Sequence, residues 1–248
     1  MPIDTVTAPA SGVAACANRS FYDALWSRTR LARPESFNTW PLIAGLLPGG
    51  ASRLEIGPGL RPRLPIAGTH FIDISAPVVE RLNARGALAQ PGDATALPFE
   101  KASFDLVCAF DVIEHVDDDL RAFGELSRVL KVGGVLIFSV PLHAALWCAF
   151  DDFVGHVRRY HPAHLVEILQ LHDLVLEKSA VFGMQPASPR LLSCGIWFLT
   201  HRRSGALFWY NWLFLPICIF FQKRLKFSEG LLDTGGVGEI VVVCRRGK

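Results

Sequence analysis

The sequence has no CxxC pair and no cysteine cluster: Cys16, Cys108, Cys148, Cys194, Cys218 and Cys244 stand far apart. That excludes a disulfide framework and zinc-finger spacing, and it points to a reducing, cytoplasmic setting. Cys108 and Cys244 lie in apolar runs, where cysteine packs as a small hydrophobe. An excess of charge of either sign is also missing, since 25 Lys+Arg against 23 Asp+Glu leave +2. Nothing in that balance builds a basic face for nucleic acid. Residues 1–18, rich in Ala, Thr, Pro and Ser, carry Asp4 and no basic stretch leading into an apolar run. They read as a flexible lead-in and not as a signal peptide. No internal repeat and no linker divides the remainder, so 19–248 reads as one domain. With 248 residues, 50% of them hydrophobic, the chain can bury a full core and is not a disordered one.

What is present is an alternation of strands and helices. Arg53 to Ile56 reads as a short strand ending at Gly57, and His70 to Ile74 as a second. Ser75 then caps a helix with Pro77 in its first turn, running to about Arg85. Ala87 to Gln90 is a third strand and Phe104 to Phe110 a strongly apolar fourth. Asp117, Asp118 and Asp119 place negative charge at the start of a helix ending near Leu130. Gly133-Gly134 turns the chain into a fifth strand, Val135 to Val140. Pro162 opens a helix to about Leu171, and Leu174 to Phe182 and Glu239 to Cys244 are strands six and seven. Near-continuous apolar strands in β–α alternation are the pattern of a parallel sheet covered on both faces. Ahead of it, Ser20 to Leu31 and Phe37 to Leu47 read as two helices of an N-terminal cap over 19–50.

In such a sheet the ligand lies at the carboxyl ends of the strands. There stand Gly57-Pro58-Gly59, Asp73, Gly92-Asp93-Ala94, Asp111 with Glu114-His115, and Pro141-Leu142-His143. Glycines after strand one admit a ligand close to the backbone, and a carboxylate ending strand two suits the vicinal hydroxyls of a ribose. The dinucleotide fingerprint is incomplete: Gly57-Pro58-Gly59-Leu60-Arg61-Pro62 ends in proline, and little room remains for a helix before strand two. The ligand inferred is therefore one with ribose and adenine but no pyrophosphate, which disfavours a nicotinamide-dependent oxidoreductase.

The segments LEIGPG, HFIDIS, GDATALPF, FDLVCAFDVIEHV and RVLKVGG, within roughly Arg53 to Val140, resemble the class I S-adenosylmethionine-dependent methyltransferases, in particular the type 11-like group. The resemblance implies an α/β, Rossmann-like sheet of order 3-2-1-4-5-7-6 with strand seven antiparallel, helices on both faces, and S-adenosyl-L-methionine as cofactor. It implies that Glu55, Gly57 and Gly59 meet the methionine end of the cofactor and Asp73 the ribose hydroxyls. Ile74 would lie against the adenine, Asp93 at its amine and Ala94 at its ring edge, while Asp111 would line both cofactor and acceptor. Arg61 stands where the family has a third glycine, and the connection after Gly59 is short. Asp111-x-x-Glu114-His115 also resembles a metal trio of some quinone-biosynthesis methyltransferases, whose oxygens a hard divalent cation tolerates, although in many relatives the same run only opens the next helix.

Methyl transfer is an in-line displacement in which alignment supplies much of the rate, and an oxygen or nitrogen acceptor also needs a base. His143 and His156 are the candidate catalytic bases. The run Gly155-His156-Val157-Arg158-Arg159-Tyr160 resembles a GHxRRY segment on the acceptor side of a subset of these enzymes. Arg158, Arg159 and Tyr160 read either as an anchor for the acceptor or as a loop pinned by ion pairs to Asp151 or Asp152.

Between strands six and seven lies an apolar insertion, 186–236. Its run Leu207 to Phe221 is almost wholly apolar and is flanked by His201-Arg202-Arg203 and Lys223-Arg224-x-Lys226. A membrane span needs ~20 apolar residues. Strands six and seven must also pair in one sheet, which excludes a single span, and a hairpin of spans would strand Arg202 and Arg203 in lipid. Three readings remain: an interfacial segment through 207–221 at the inner face of the membrane, a cap on the chain's own core, or a homodimer face. The expected activity is methyl transfer to O, N or C of a small-molecule or lipid-like acceptor, with no nucleic-acid partner. The alternative is a non-catalytic methyltransferase-like module that holds the cofactor or a lipid.

Overall fold

A computed structural model describes residues 26, 29–47, 50–183, 189–202, 205 and 208–248. Its centre is an eight-stranded sheet of order β3-β2-β1-β4-β5-β8-β6-β7. The strands are β1 (Arg53–Ile56), β2 (His70–Asp73), β3 (Leu88–Pro91), β4 (Phe104–Ala109), β5 (Leu130–Pro141), β6 (Leu174–Val181), β7 (Ser228–Glu229) and β8 (Glu239–Arg246). Strands β1 to β5 pair in parallel. Strand β8 is antiparallel to both β5 and β6. With the two-residue edge strand β7 set aside, this is the expected order, the final long strand running against its neighbours.

The inner strands β2, β1, β4, β5 and β8 are mostly buried on both sides because both sides are covered. Along β4, Val107 and Ala109 join one buried cluster with Phe123, Leu126 and Leu165, whereas Leu106 and Cys108 join another with Ile43 and Leu64. That alternation is the two-residue period of a strand. The helices that supply the cover are α1 (Trp40–Gly45), α2 (Ala76–Asn83), α3 (Asp119–Val129), α4 (Ala149–Val154) and α5 (Pro162–Leu171), followed in the insertion by α6 (Pro189–His201) and α7 (Leu215–Phe220). Asp118 is the N-cap of α3, its Oδ1 accepting the Arg121 N–H at 3.0 Å. Ser75 occupies the N-cap of α2 but makes no side-chain cap bond. Asp73 instead takes the Ser75 N–H on Oδ1 at 2.8 Å.

Several expectations need correction. Strand β5 begins at Leu130, not Val135: Leu130 pairs with Phe104, and the left-handed Gly133 (φ 75°) is absorbed as an irregularity before regular pairing resumes at Leu106–Val135. The helix expected over Phe37 to Leu47 is confined to α1, after a 3-10 turn at Pro34–Ser36. The stretch expected to be helical to Leu31 is not helical at Thr29 to Leu31, and the Ala32 N–H bonds to the Leu60 carbonyl. Residues 1–18, read as a flexible lead-in, lie outside the described residues.

Parallel neighbours need a crossover, ordinarily helical. Between β1 and β2 the crossover has no helix. Trp26 and Leu60 there pack with Phe71, Val78 and Leu82, so an N-terminal side chain helps cover sheet that a helix would otherwise cover. In the insertion, a π-helical turn at Tyr210–Phe214 runs into α7. Among the described residues, no helix is long and apolar enough to cross a membrane.

Candidate cofactor and acceptor site

The loop after β1 is shaped by two left-handed glycines, Gly57 (φ 60°) and Gly59 (φ 52°). A Cβ on Gly59 would stand 2.3 Å from the Trp26 ring, and one on Gly57 2.6 Å from a Val112 methyl. Only glycine combines that conformation with that approach. The loop is also clamped from below. Gly57 donates to the Ile72 carbonyl at 2.8 Å and Gly59 to Asp73 Oδ2 at 3.0 Å. Glu55, fully buried, accepts the Arg63 N–H on both oxygens (2.9 and 3.0 Å) and the Leu64 N–H at 2.9 Å. Burial pushes its carboxyl up to about 7, against those N–H bonds and the Arg63 charge. Both Glu55 oxygens are thus engaged by the loop on which the glycines stand.

Asp73 closes β2 with one backbone N–H on each oxygen, from Gly59 and Ser75. A carboxylate ending the second strand is the kind of acceptor that the vicinal hydroxyls of a ribose require. Ile74 beside it is 48% exposed, an apolar surface at the strand end. Asp73 pairs with Pro91 of β3, which sets Asp93 and the buried Ala94 at the adjoining strand end. Asp93 Oδ1 accepts the Thr95 N–H at 2.7 Å and its hydroxyl at 2.6 Å. Arg63, which no sequence motif marks, is buried with its guanidinium 3.8 Å from the Phe37 ring and 5.4 Å from that of Phe110. Its Nη1 has no hydrogen-bond partner among the described residues. A buried guanidinium N–H left this way fits an anionic group of a ligand. With the glycine loop, the strand-end carboxylates and Ile74, the residues present fit an adenosyl ligand that carries an amino-acid end.

On the other side of β1, Asp111 has a left-handed backbone (φ 56°) and is locked to Ser139 of β5. Its N–H donates to Ser139 Oγ at 2.8 Å, and that hydroxyl donates to Asp111 Oδ1 at 2.6 Å. Glu239, the first residue of β8, was not singled out from the sequence; it lies opposite Pro141 with its carboxyl beside that of Asp111. Burial, then the neighbouring Asp111 charge, holds the Glu239 carboxyl well above the carboxylate range. His143 is left-handed too (φ 59°); its N–H donates to the Tyr160 carbonyl at 2.8 Å, and Nε2 lies 2.8 Å from the Thr234 carbonyl. His156 is held through Nδ1, 2.8 Å from Asp151 Oδ1, with its ring edge-on to His115.

The GHVRRY run is occupied internally. Arg159 grips Asp151 through Nε and Nη2 (2.8 and 3.0 Å), while its Nη1 reaches the Leu142 and Gly238 carbonyls, both at 3.2 Å. Arg158 ion-pairs with Asp119 and bonds the Val116 and Asp117 carbonyls at 2.9 and 2.6 Å. The Tyr160 hydroxyl donates to Asp119 Oδ2 at 2.8 Å, and burial, reinforced by the Asp119 charge, drives the phenol upward. Burial opposes ionisation of Asp151 as well. Bonds from His156, Arg159 and the Cys148 N–H outweigh it and hold the carboxyl well below its usual range. Of the two sequence readings, the geometry matches the pinned loop, with Asp151 and Asp119 as partners. Asp152 instead accepts the Trp147 indole N–H at 3.0 Å.

Residues 55–138 match the methyltransferase domain family. A probable S-adenosylmethionine-dependent methyltransferase of Mycolicibacterium smegmatis is 36% identical over 88 residues, covering 35% of this chain and 34% of the relative. A malonyl-acyl-carrier-protein O-methyltransferase of Herminiimonas arsenicoxydans is 45% identical over 88 residues, 36% of this chain and 33% of the relative. The chain thus spans about a third of the length of these curated relatives. Among solved structures, the cyclase SpnF superposes with a TM-score of 0.60 at 16% identity, covering 98% of each chain, which shows the fold. Over residues 55–138 the chain is thus similar to S-adenosylmethionine-dependent methyltransferases, and the cofactor that this similarity indicates is S-adenosylmethionine.

Proposed function

We propose that the chain transfers a methyl group from S-adenosylmethionine to a small-molecule or lipid-like acceptor. The observation that carries this reading is the strand-end geometry. A left-handed glycine loop is bonded to Asp73, Ile74 is exposed beside it, and Asp111 with Glu239 stands across β1. S-adenosylmethionine brings an activated methyl group on sulfonium. The chain's own part is to hold the adenosyl end at Asp73, Ile74, Asp93 and Ala94 and the amino-acid end near Gly57 and Gly59. Asp111, hydrogen-bonded to Ser139, lines the acceptor side. His143 and His156 are the candidate bases, each steadied through one ring nitrogen. SpnF bears the name of a cyclase on the same fold, so fold alone does not carry the reaction.

The lipid-like character of the acceptor rests on the insertion. Trp197, Phe198, Trp209, Trp212, Phe220 and Phe221 are all exposed there. Arg202, Lys223 and Arg224 are exposed beside them. Aromatics with flanking cations suit the headgroup region of an anionic membrane. The segment is joined to the N-terminal stretch: Thr29 Oγ1 donates to Asn211 Oδ1 at 3.0 Å, Arg30 lies 4.0 Å over the Trp212 ring, and the Asn38 N–H reaches Gln222 Oε1 at 2.9 Å.

The test is incubation with methyl-labelled S-adenosylmethionine and a lipid extract, alongside a set of small hydroxy and amino compounds. Label should appear in an extractable product together with S-adenosylhomocysteine. Cofactor binding without transfer to any acceptor would instead favour the binding-module reading. Sedimentation with anionic liposomes should be lost when Trp209, Phe220 and Phe221 are replaced by serine. Failure of the unaltered chain to sediment would end the membrane reading.

A further inference from the structure

We infer that Glu114, His115 and His156 form a binding site for one divalent transition-metal ion of the zinc type. One ligand atom from each of the three lies within 4.8 Å of the other two. Two separate segments bring them together. Glu114 and His115 lie in the 3-10 turn Ile113–His115 after β4, and His156 follows Gly155, the left-handed C-cap of α4. The Val157 N–H donates to the Glu114 carbonyl at 2.9 Å, fixing one segment against the other.

The second observation concerns Glu114 itself. Its side chain is 3% exposed, and its Oε2 is buried with no hydrogen-bond partner among the described residues. A buried carboxylate oxygen left without a partner is costly, and a cation offsets that cost. The other oxygen, Oε1, already stands 3.8 Å from His156 Nε2. Neighbouring ligands on a tetrahedral zinc ion stand about 3.3 Å apart, as bond lengths near 2.0–2.1 Å require. The Glu114–His156 pair is about 0.5 Å wider than that, and no pair in the trio exceeds 4.8 Å.

Both imidazoles carry the Nδ1 bond that metal-ligating histidines ordinarily carry. Each is hydrogen-bonded through Nδ1, His156 to the Asp151 carboxylate at 2.8 Å and His115 to the Gly155 carbonyl at 3.1 Å. A ring fixed at Nδ1 by a carboxylate or carbonyl presents Nε2 to a metal with its tautomer set. Two nitrogens and one oxygen favour zinc, cobalt or iron over magnesium, which requires oxygen ligands. Asp111, part of the trio suggested by the sequence, is not in this set, being engaged by Ser139 and Glu239. Three protein ligands leave a position open for water or an acceptor oxygen. The site does not depend on the methyl-transfer reading; an ion on His156 Nε2 takes that nitrogen out of the role of base and leaves His143 as the candidate.

The experiment is metal analysis of the folded chain after incubation with zinc and removal of loosely held ion, beside melting curves with zinc and with magnesium. The unaltered chain should retain one zinc per chain and melt higher with zinc but not with magnesium. Glu114→Gln and His156→Gln should each abolish the retained zinc while keeping the circular dichroism of the parent. If either variant fails to fold, the cobalt-loaded parent decides: its visible spectrum should show tetrahedral bands without a thiolate charge-transfer band, and Cys148→Ser should leave the stoichiometry unchanged. Absence of retained ion in the parent, equal retention in both folded variants, or a thiolate band would each overturn the assignment.

Discussion

Replacing Asp151 by alanine should destabilise the protein more than any exposed substitution. The carboxylate is fully buried and takes two bonds from Arg159, one from His156 and one from the Cys148 N–H. Arg159, with a side chain 3% exposed, would keep its charge and lose its counter-ion. Breaking one side of a buried pair costs about 3–5 kcal/mol, because the remaining charge is left uncompensated. For a chain of 248 residues the unfolding entropy is about 0.5 kcal/mol per degree, so the melting temperature should fall by roughly 6–10 °C. The double variant Asp151→Leu, Arg159→Met removes both charges and should recover most of that loss. A residue of about 1–2 kcal/mol should persist from the orphaned Cys148 N–H. Thermal melts by circular dichroism, with urea titrations at 25 °C, measure both. A single-variant shift below about 2 °C, or a double variant no better than Asp151→Ala, would refute the pinned loop and return Arg159 to acceptor anchoring.

Three further outcomes follow from the same geometry. Asp73→Ala should weaken binding of S-adenosylhomocysteine roughly ten- to a hundredfold, since a hydrogen bond to a charged group is worth about 1.5–3 kcal/mol; calorimetry at unchanged affinity would contradict the ribose role. Gly59→Ala should destabilise more than Gly133→Ala: both are left-handed, but a Cβ at Gly59 meets the Trp26 ring at 2.3 Å whereas one at Gly133 meets nothing within 4 Å. Equal losses in urea titrations of the two variants would remove Trp26 from its place on the loop. Bonds from Lys131 and Ser52 lower the Asp105 carboxyl from 3.8 to about 2, so its stabilisation should be complete above pH 4 and lost as pH falls through about 2. Because the pair is partly exposed, that contribution is at most about 1 kcal/mol; a carboxyl titration by NMR with its midpoint near 3.8 would disprove the clasp.

The strands were legible because burial on both faces writes itself as continuous apolar runs: FDLVCA and EIVVVC could be nothing else in this context. The strand-end acids were legible for a related reason, each standing where such a run stops. The cap was not. Trp26 and Thr29 earn their burial from contacts with Gly59, Arg81 and Asn211, far away in sequence, and no local period announces them. Arg63 and Glu239 were missed likewise. One sits in an irregular crossover and the other opens β8 near the far end of the chain, and only folding brings both within reach of Asp111. The arginines of GHVRRY were visible, but whether they face a ligand or Asp151 is a matter of distance, which spacing along the chain does not contain.

The most direct measurement is isothermal calorimetry of the purified chain with S-adenosylhomocysteine, with NAD as the comparison ligand. A saturable heat corresponding to one site per chain, absent with NAD, is the expected result. No heat with S-adenosylhomocysteine on protein shown to be folded would contradict a cofactor site at the carboxyl ends of β1 and β2.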